Sequence, residues 1–280
     1  MQQRTGNPIL QETVALIEER LGDSLKSITV ERAVLGLFFS GVILSNGQGG
    51  LCFTPIKEMP EAVCCPSSAK AMPLSGRLSG RPVTEYLKDI FCDNILRKTL
   101  GIAALNALSA GCWADDAFDG GYELAAGIDA FDEVEIKAGE KAVVVGALIP
   151  IIKKLRAAKA DFHILEMDPK TLKEYELPYY LPADRAGEVV PGADLLVITG
   201  VTLINDTLPD LLALAKPGAR VVVTGPTASM LPDAFFKRGV TLLGGILATK
   251  PEELLNVIAE GGSGYHFFGK SAERLVIRRS

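Results

Sequence analysis

Apolar residues in the opening segment recur at helical spacing. Ile9, Leu10, Val14, Leu16, Ile17, Leu21 and Leu25 predict a helix over 9–25, ending near Gly22-Asp23. The pattern then changes. From Ile28 to Ser45 β-branched and aromatic residues dominate, and Asn46-Gly47-Gln48-Gly49-Gly50 separates that run from Leu51-Cys52-Phe53-Thr54, which reads as an antiparallel hairpin. Pro55 to Pro82 holds five of the sixteen prolines, together with Ser and Gly, and predicts an irregular crossing. Helical patterns return over 83–91 and 94–109, so residues 1–110 read as a small α+β domain.

Between Gly111 and Glu140 stand nine acidic residues and a single Lys, with Gly120-Gly121 in the middle. That charge run predicts a solvated passage between domains, and Asp115, Asp116 and Asp119 within it lack the spacing of a calcium loop. From Lys141 onward the rhythm is strand, turn, helix. Residues 141–145, 162–167, 194–199, 219–224 and 240–246 read as strands with helical patterns between most of them. Such alternation predicts an α/β domain over 141–280, Rossmann-like, with a doubly wound parallel sheet.

Composition narrows the function classes. With 48% hydrophobic and 22% charged residues the chain has ample material for a buried core. A net charge of −5 and no Lys/Arg block exclude the electrostatic footprint of a nucleic-acid binder. The longest apolar stretch, Val143 to Ile152, is about half a bilayer span and runs into Lys153-Lys154, so no membrane segment is expected. The N-terminus lacks the apolar core of an export signal. Five cysteines, an odd number confined to the first half, argue against a secreted disulfide framework and for a reducing cytoplasm. The expected partners are a small-molecule or metal ligand and a second copy of the chain.

Candidate chemistry gathers where parallel strands end, because ligands of open α/β sheets sit outside the carboxyl ends of the strands. Thr199, Gly200, Thr202 and Asn205 follow the 194–199 strand, and Thr207 with Asp210 has the form of a capping box. Gly225-Pro226 and Thr227 follow the next strand on the same edge. Val145-Gly146 is the turn of a first Rossmann strand, but Leu148 and Ile149 stand where a dinucleotide fingerprint needs glycine. Glu166 ends the second strand, where a carboxylate can hold a ribose hydroxyl or a metal, whereas Asp168-Pro169 reads as a helix cap. Cys64-Cys65 cannot easily present both sulfurs to one tetrahedral ion, and His163 and His266 lack a partner at ligand spacing. Thr249-Lys250-Pro251-Glu252 is a further capping signature. Asn106 lies inside a helix of small and apolar residues, so it either faces the cleft between domains or satisfies backbone locally.

Leu100-Gly-Ile-Ala-Ala-Leu-Asn-Ala107, Val145-Gly146 with Pro150, Thr199-Gly-Val-Thr-Leu-Ile-Asn-Asp-Thr207 and Gly225-Pro226-Thr227 together resemble a bacterial and archaeal family of unknown function labelled "Putative heavy-metal chelation". The resemblance spans most of the chain. It implies an enolase N-terminal-like domain joined to a Rossmann-like domain, with a site at their junction built from Asn106, Gly146, Glu166, Thr199, Asn205 and Gly225-Pro226. Two positions depart from the family pattern, Leu148 for a phenylalanine and Thr227 for a serine, and both keep the type of chemistry. The expected function is binding of a metal or a small metal-chelating ligand at the inter-domain cleft. The competing readings are an S-adenosylmethionine- or nucleotide-dependent transferase at the Gly146 turn, with NAD a further cofactor candidate, and a non-catalytic scaffold.

Overall fold

The computed structural model describes residues 6–58, 70–114 and 121–279. Helix α1 (Pro8–Leu21) starts where Asn7 accepts the N–H groups of Ile9 and Leu10, with Pro8 in the first turn. It stops earlier than its apolar pattern suggests. Gly22 turns to φ 51°, and residues 22–27 continue as a 3-10 segment that still buries Leu25.

Strands β1 (Val30–Leu35), β2 (Phe39–Leu44) and β3 (Gly49–Phe53) form an antiparallel sheet in that order. The expected hairpin therefore has one more strand, because the chain turns at Gly36, whose N–H bonds the Phe39 carbonyl. Gly49 and Gly50 belong to β3 and not to the turn. A Cβ on Gly50 would lie 2.1 Å from the Ala103 carbonyl oxygen and 2.5 Å from the Ala107 nitrogen, so only glycine lets this strand meet the helix behind it.

That helix is α3 (Ile95–Trp113), preceded by α2 (Val83–Asp89). Small and apolar residues dominate every face of it because it is covered all round: residues 98–110 are buried without a break. Asn94 caps it by accepting from the Arg97 N–H.

The second sheet has eight strands among the described residues: β4 (Tyr122–Ala126), β5 (Lys141–Val145), β6 (Asp161–Glu166), β7 (Tyr180–Pro182), β8 (Leu195–Thr199), β9 (Arg220–Thr224), β10 (Val240–Ala248) and β11 (Ala272–Arg279). They lie in the order β4-β11-β10-β9-β8-β5-β6-β7. The run from β7 to β10 is parallel throughout and has the 3-2-1-4-5-6 order of a Rossmann sheet, whose switch point falls between β5 and β8. Helices α4 (Ile149–Ala157) and α5 (Leu208–Leu214) make two of the crossovers, and α6 (Pro251–Ala259) precedes the antiparallel return into β11.

Part of the acidic stretch belongs to this sheet: β4 pairs with β11 at the edge, and Asp129 caps the short helical turn that follows. Four of its carboxylates have ion-pair partners, Glu123 and Glu133 on Arg278, Asp129 on Arg274, and Glu140 on Arg220. Asp115, Asp116 and Asp119 lie outside the described residues.

The apolar core does not stop between the sheets. One cluster joins Ile9, Leu100 and Leu105 to Val145, Ile198, Val223 and Phe235, and another joins Ile43 and Leu51 to Ile246 and Leu254. Each such side chain is worth roughly 1.5–3 kcal/mol when buried, so separating the halves would expose much of what holds both. No helix among the described residues is long and apolar enough to cross a membrane.

Candidate functional site

At the switch point the turns after β5, β8 and β9 pack on one another. Gly146 adopts φ 93°, and a Cβ there would meet the Thr199 methyl at 2.8 Å. Its glycine is thus required by backbone conformation and by the neighbouring strand end together. Thr199 accepts from the Val201 N–H and its carbonyl accepts from the Thr202 hydroxyl at 2.7 Å, which closes the 3-10 turn 200–203. Gly200 lies against Ala228, and Gly225 stands beside it at φ 127°. Thr202 is buried, and both of these threonines spend their hydroxyls within the turn.

Asn106 ties this seam to the first sheet. Its Nδ2 lies 2.7 Å from the Leu51 carbonyl oxygen and 3.1 Å from those of both Pro226 and Thr227. The residue is 2% exposed, and its Oδ1 is buried without a hydrogen-bond partner. Of the two sequence alternatives the side chain follows neither alone: it satisfies backbone, but backbone of both domains. Thr227 adds a second tie, its hydroxyl accepting from the Phe53 N–H at 3.1 Å.

Glu166 sits at the end of β6, half-buried, and its Oε1 accepts from the N–H groups of Met167 and Asp168. Asp168 caps the following 3-10 turn, as expected of Asp-Pro, and pairs with Lys57 of the first domain. Thr207 corrects its sequence reading. It gives α5 no side-chain cap; its hydroxyl bonds Asn205 Oδ1 at 2.7 Å instead. Lys250 rather than Thr249 occupies the cap position of α6, again without a side-chain bond to the helix backbone. His266 completes a capping box with Ser263, which uses the ring locally. Cys64 and Cys65 lie outside the described residues.

The chain opens a cavity of about 380 Å³ beside the seam, where the turn after β8 meets the first domain. Ile204, Asn205 and Asp206 line it from one side; Phe91, Cys92, Asp93 and Lys98, from just after α2 to the first turn of α3, line it from the other, together with Asn7 and Glu58. Of the nine residues expected at the site, Asn205 alone lines this cavity. Lys98 and Asp206 were not among them. The Lys98 ammonium lies 2.7 Å from each carboxylate oxygen of Asp206, and the lysine side chain is only 10% exposed. A lysine opening the long small-and-apolar stretch of α3 was the available signal, because a buried ammonium requires a partner. Asp206 holds φ 61°, a left-handed conformation uncommon outside glycine.

Among the described residues no group of three or more His, Cys, Asp or Glu could hold a metal ion. Cys92 is half-buried on the cavity wall, whereas Cys52 is enclosed and burial pushes its thiol up to about 12. Only thiolate is nucleophilic, so iodoacetamide on the native protein is expected to modify Cys92 and spare Cys52. Peptide mass spectrometry reads the sites, and equal labelling of both would contradict the enclosure of Cys52.

The comparisons with known proteins agree with this architecture. The model of the DUF364 family, described as "Putative heavy-metal chelation", matches residues 129–277, more than half of the chain, and that of DUF4213, with the same description, matches residues 18–109. An uncharacterized protein of Methanocaldococcus jannaschii is 32% identical over 149 residues, 53% of this chain and 53% of that relative, so the match spans about half its length. Two crystal structures of DUF364 proteins of unknown function share the fold. That from Pyrococcus horikoshii has a TM-score of 0.75 at 20% identity, covering 96% of this chain and 99% of its own. That from Desulfitobacterium hafniense DCB-2 has a TM-score of 0.68 at 21% identity with the same coverage. The chain belongs to the DUF364 family.

Proposed function

We propose that the protein takes up a small metal-chelating ligand in the junction cavity, the metal arriving as part of that ligand and not as a bare ion caged by the protein. The observation that carries this reading is a two-domain cavity with a nearly buried ammonium, carboxylates and apolar wall in one place, beside described residues that assemble no cage of three metal ligands. Convergent polar groups in a largely preformed cleft are the usual form of a small-molecule site. The family description supplies the chemical direction. No catalytic step is part of the proposal.

The transferase reading would put a nucleotide at the Gly146 turn with Glu166 on its ribose. Against it, Leu148 and Ile149 stand where a dinucleotide fingerprint needs glycine, and one Glu166 oxygen already accepts two backbone N–H groups. A thermal-shift panel on the full chain separates the two. Zn²⁺ alone, L-histidine, the zinc–histidine complex, S-adenosylmethionine and NAD are compared at saturation. A ligand bound only by the native state at about a hundredfold its Kd adds about 2.7 kcal/mol, or several degrees of Tm. The proposal expects the largest rise with the chelator or its complex and little with Zn²⁺ alone. A rise confined to S-adenosylmethionine or NAD would hand the site to the transferase reading, and silence throughout would favour a scaffold.

A further inference from the structure

Resting on the reading of the junction cavity as the binding site, we propose that its ligand is a zwitterionic aminocarboxylate that takes both members of the Lys98–Asp206 pair. The ligand carboxylate sits on the Lys98 ammonium, and the ligand amine sits on the Asp206 carboxylate.

The pair differs from the other ion pairs that cross the domains. The cation side chains of the others are 22% to 70% accessible, from Arg238 on Glu12 to Lys57 on Asp168 and Lys237 on Glu12, while Lys98 is enclosed at 10%. A surface pair contributes little either way, whereas an enclosed ammonium must keep an anion close. Asp206 meets that demand from a left-handed backbone, with both oxygens equidistant from the ammonium. Strained backbone of this kind gathers at ligand clamps, where the surrounding structure holds it. An ammonium has three donors, and Asp206 takes two hydrogen bonds; among the described residues no third acceptor faces it.

The balance of charge then selects the ligand class. One cation, Lys98, shares the cavity with three carboxylates, Asp206, Asp93 and Glu58, and the last two have no ion-pair partner among the described residues. A dicarboxylate would satisfy Lys98 but meet this surplus of negative charge. A diamine would satisfy the carboxylates and leave the enclosed ammonium facing a second cation. A molecule carrying both groups exchanges partners with the existing pair and leaves neither Lys98 nor Asp206 alone. An additional amine, or a bound divalent metal, would answer Asp93 and Glu58. Phe91 and Ile204 line the remaining wall for its carbon skeleton.

The test follows backbone amide resonances of Phe91, Asn205 and Asp206 in the full chain during titration with three matched probes. L-ornithine carries a carboxylate and two amines, 1,4-diaminobutane is the same skeleton without the carboxylate, and glutarate carries carboxylates alone. Ornithine is expected to move these amides at about tenfold lower concentration than either partner. Lys98→Met should bring ornithine down to the level of diaminobutane. Asp206→Asn, which tolerates the left-handed backbone, should instead raise glutarate affinity about tenfold by freeing the ammonium. If all three probes move the amides equally, or if neither variant changes the ranking, the charge-pair proposal falls while the cavity reading stands. If no probe moves them, the cavity reading falls and takes the proposal with it.

Discussion

Asn106→Asp is expected to destabilise the folded protein more than Asn106→Ala, although aspartate is nearly isosteric with asparagine. The Asn106 amide nitrogen faces three carbonyl oxygens, of Leu51, Pro226 and Thr227. Alanine removes the donors and leaves these buried acceptors short of partners, a loss of about 2–3 kcal/mol. Aspartate replaces the donors with a carboxylate aimed at carbonyl oxygens in a site 2% exposed, a cost of about 4 kcal/mol or more. Net stabilities of single domains are only about 5–15 kcal/mol, so the variant should lie near the limit of folding.

The sign with pH is fixed by the same contacts. A carboxyl there is favoured in its neutral form, which can donate one hydrogen bond, so its folded pKa lies above its unfolded one. Its deficit is therefore smallest below the ordinary aspartate pKa of about 4 and grows as pH rises through the raised folded value. Urea unfolding of the two variants across that interval is the measurement. An aspartate variant as stable as the alanine variant at neutral pH would show that the site does not penalise a carboxylate facing these carbonyls, and an alanine variant as stable as the unmodified protein that the amide's donors contribute nothing.

Gly50→Ala is the second large effect. The added methyl would sit 2.1 Å from the Ala103 oxygen and 2.5 Å from the Ala107 nitrogen, both backbone atoms of α3 that no rotamer change can move. Either β3 or α3 must shift, and because the Leu51 carbonyl beside Gly50 is an Asn106 acceptor, the shift also loosens that tie. The expected cost is about 3 kcal/mol or more. Gly47→Ala is the control: at φ 81° in open space it costs about 1 kcal/mol through backbone conformation alone. Comparable midpoints for the two variants in chemical denaturation would mean that β3 does not press on α3 as described.

Five of the six parallel strands were legible because most are short runs of Val, Ile and Leu with buried side chains, bounded by turn residues; the three-residue β7, Tyr-Leu-Pro and half-exposed, carries no such run and was not read. Right-handed crossovers then leave few ways to arrange them. The antiparallel edge was not legible. In β11, Ala-Glu-Arg-Leu-Val-Ile-Arg-Arg mixes charge with apolar residues, and β4 lies inside an acidic run. Arg278 answers Glu123 and Glu133 only once these distant segments meet, which no local pattern records.

The site divides in the same way. The motif 199–207 marked a turn at the strand ends, and the turn is there, but its side chains are shared out by packing. Thr199 and Thr202 bond within the turn, Thr207 bonds Asn205, and Asp206 reaches across to Lys98. By itself the amino-acid sequence determined the family, the Rossmann-like class of the parallel core and the turns where polar residues collect, because periodicity and turn chemistry are local properties, whereas the strand order was read only from the pairing. Only the tertiary structure decided which of those residues face a cavity. That outcome depends on a buried ammonium finding its anion, and on two close backbone approaches at Gly50 and Gly146, between segments that sequence separation keeps apart until the core forms.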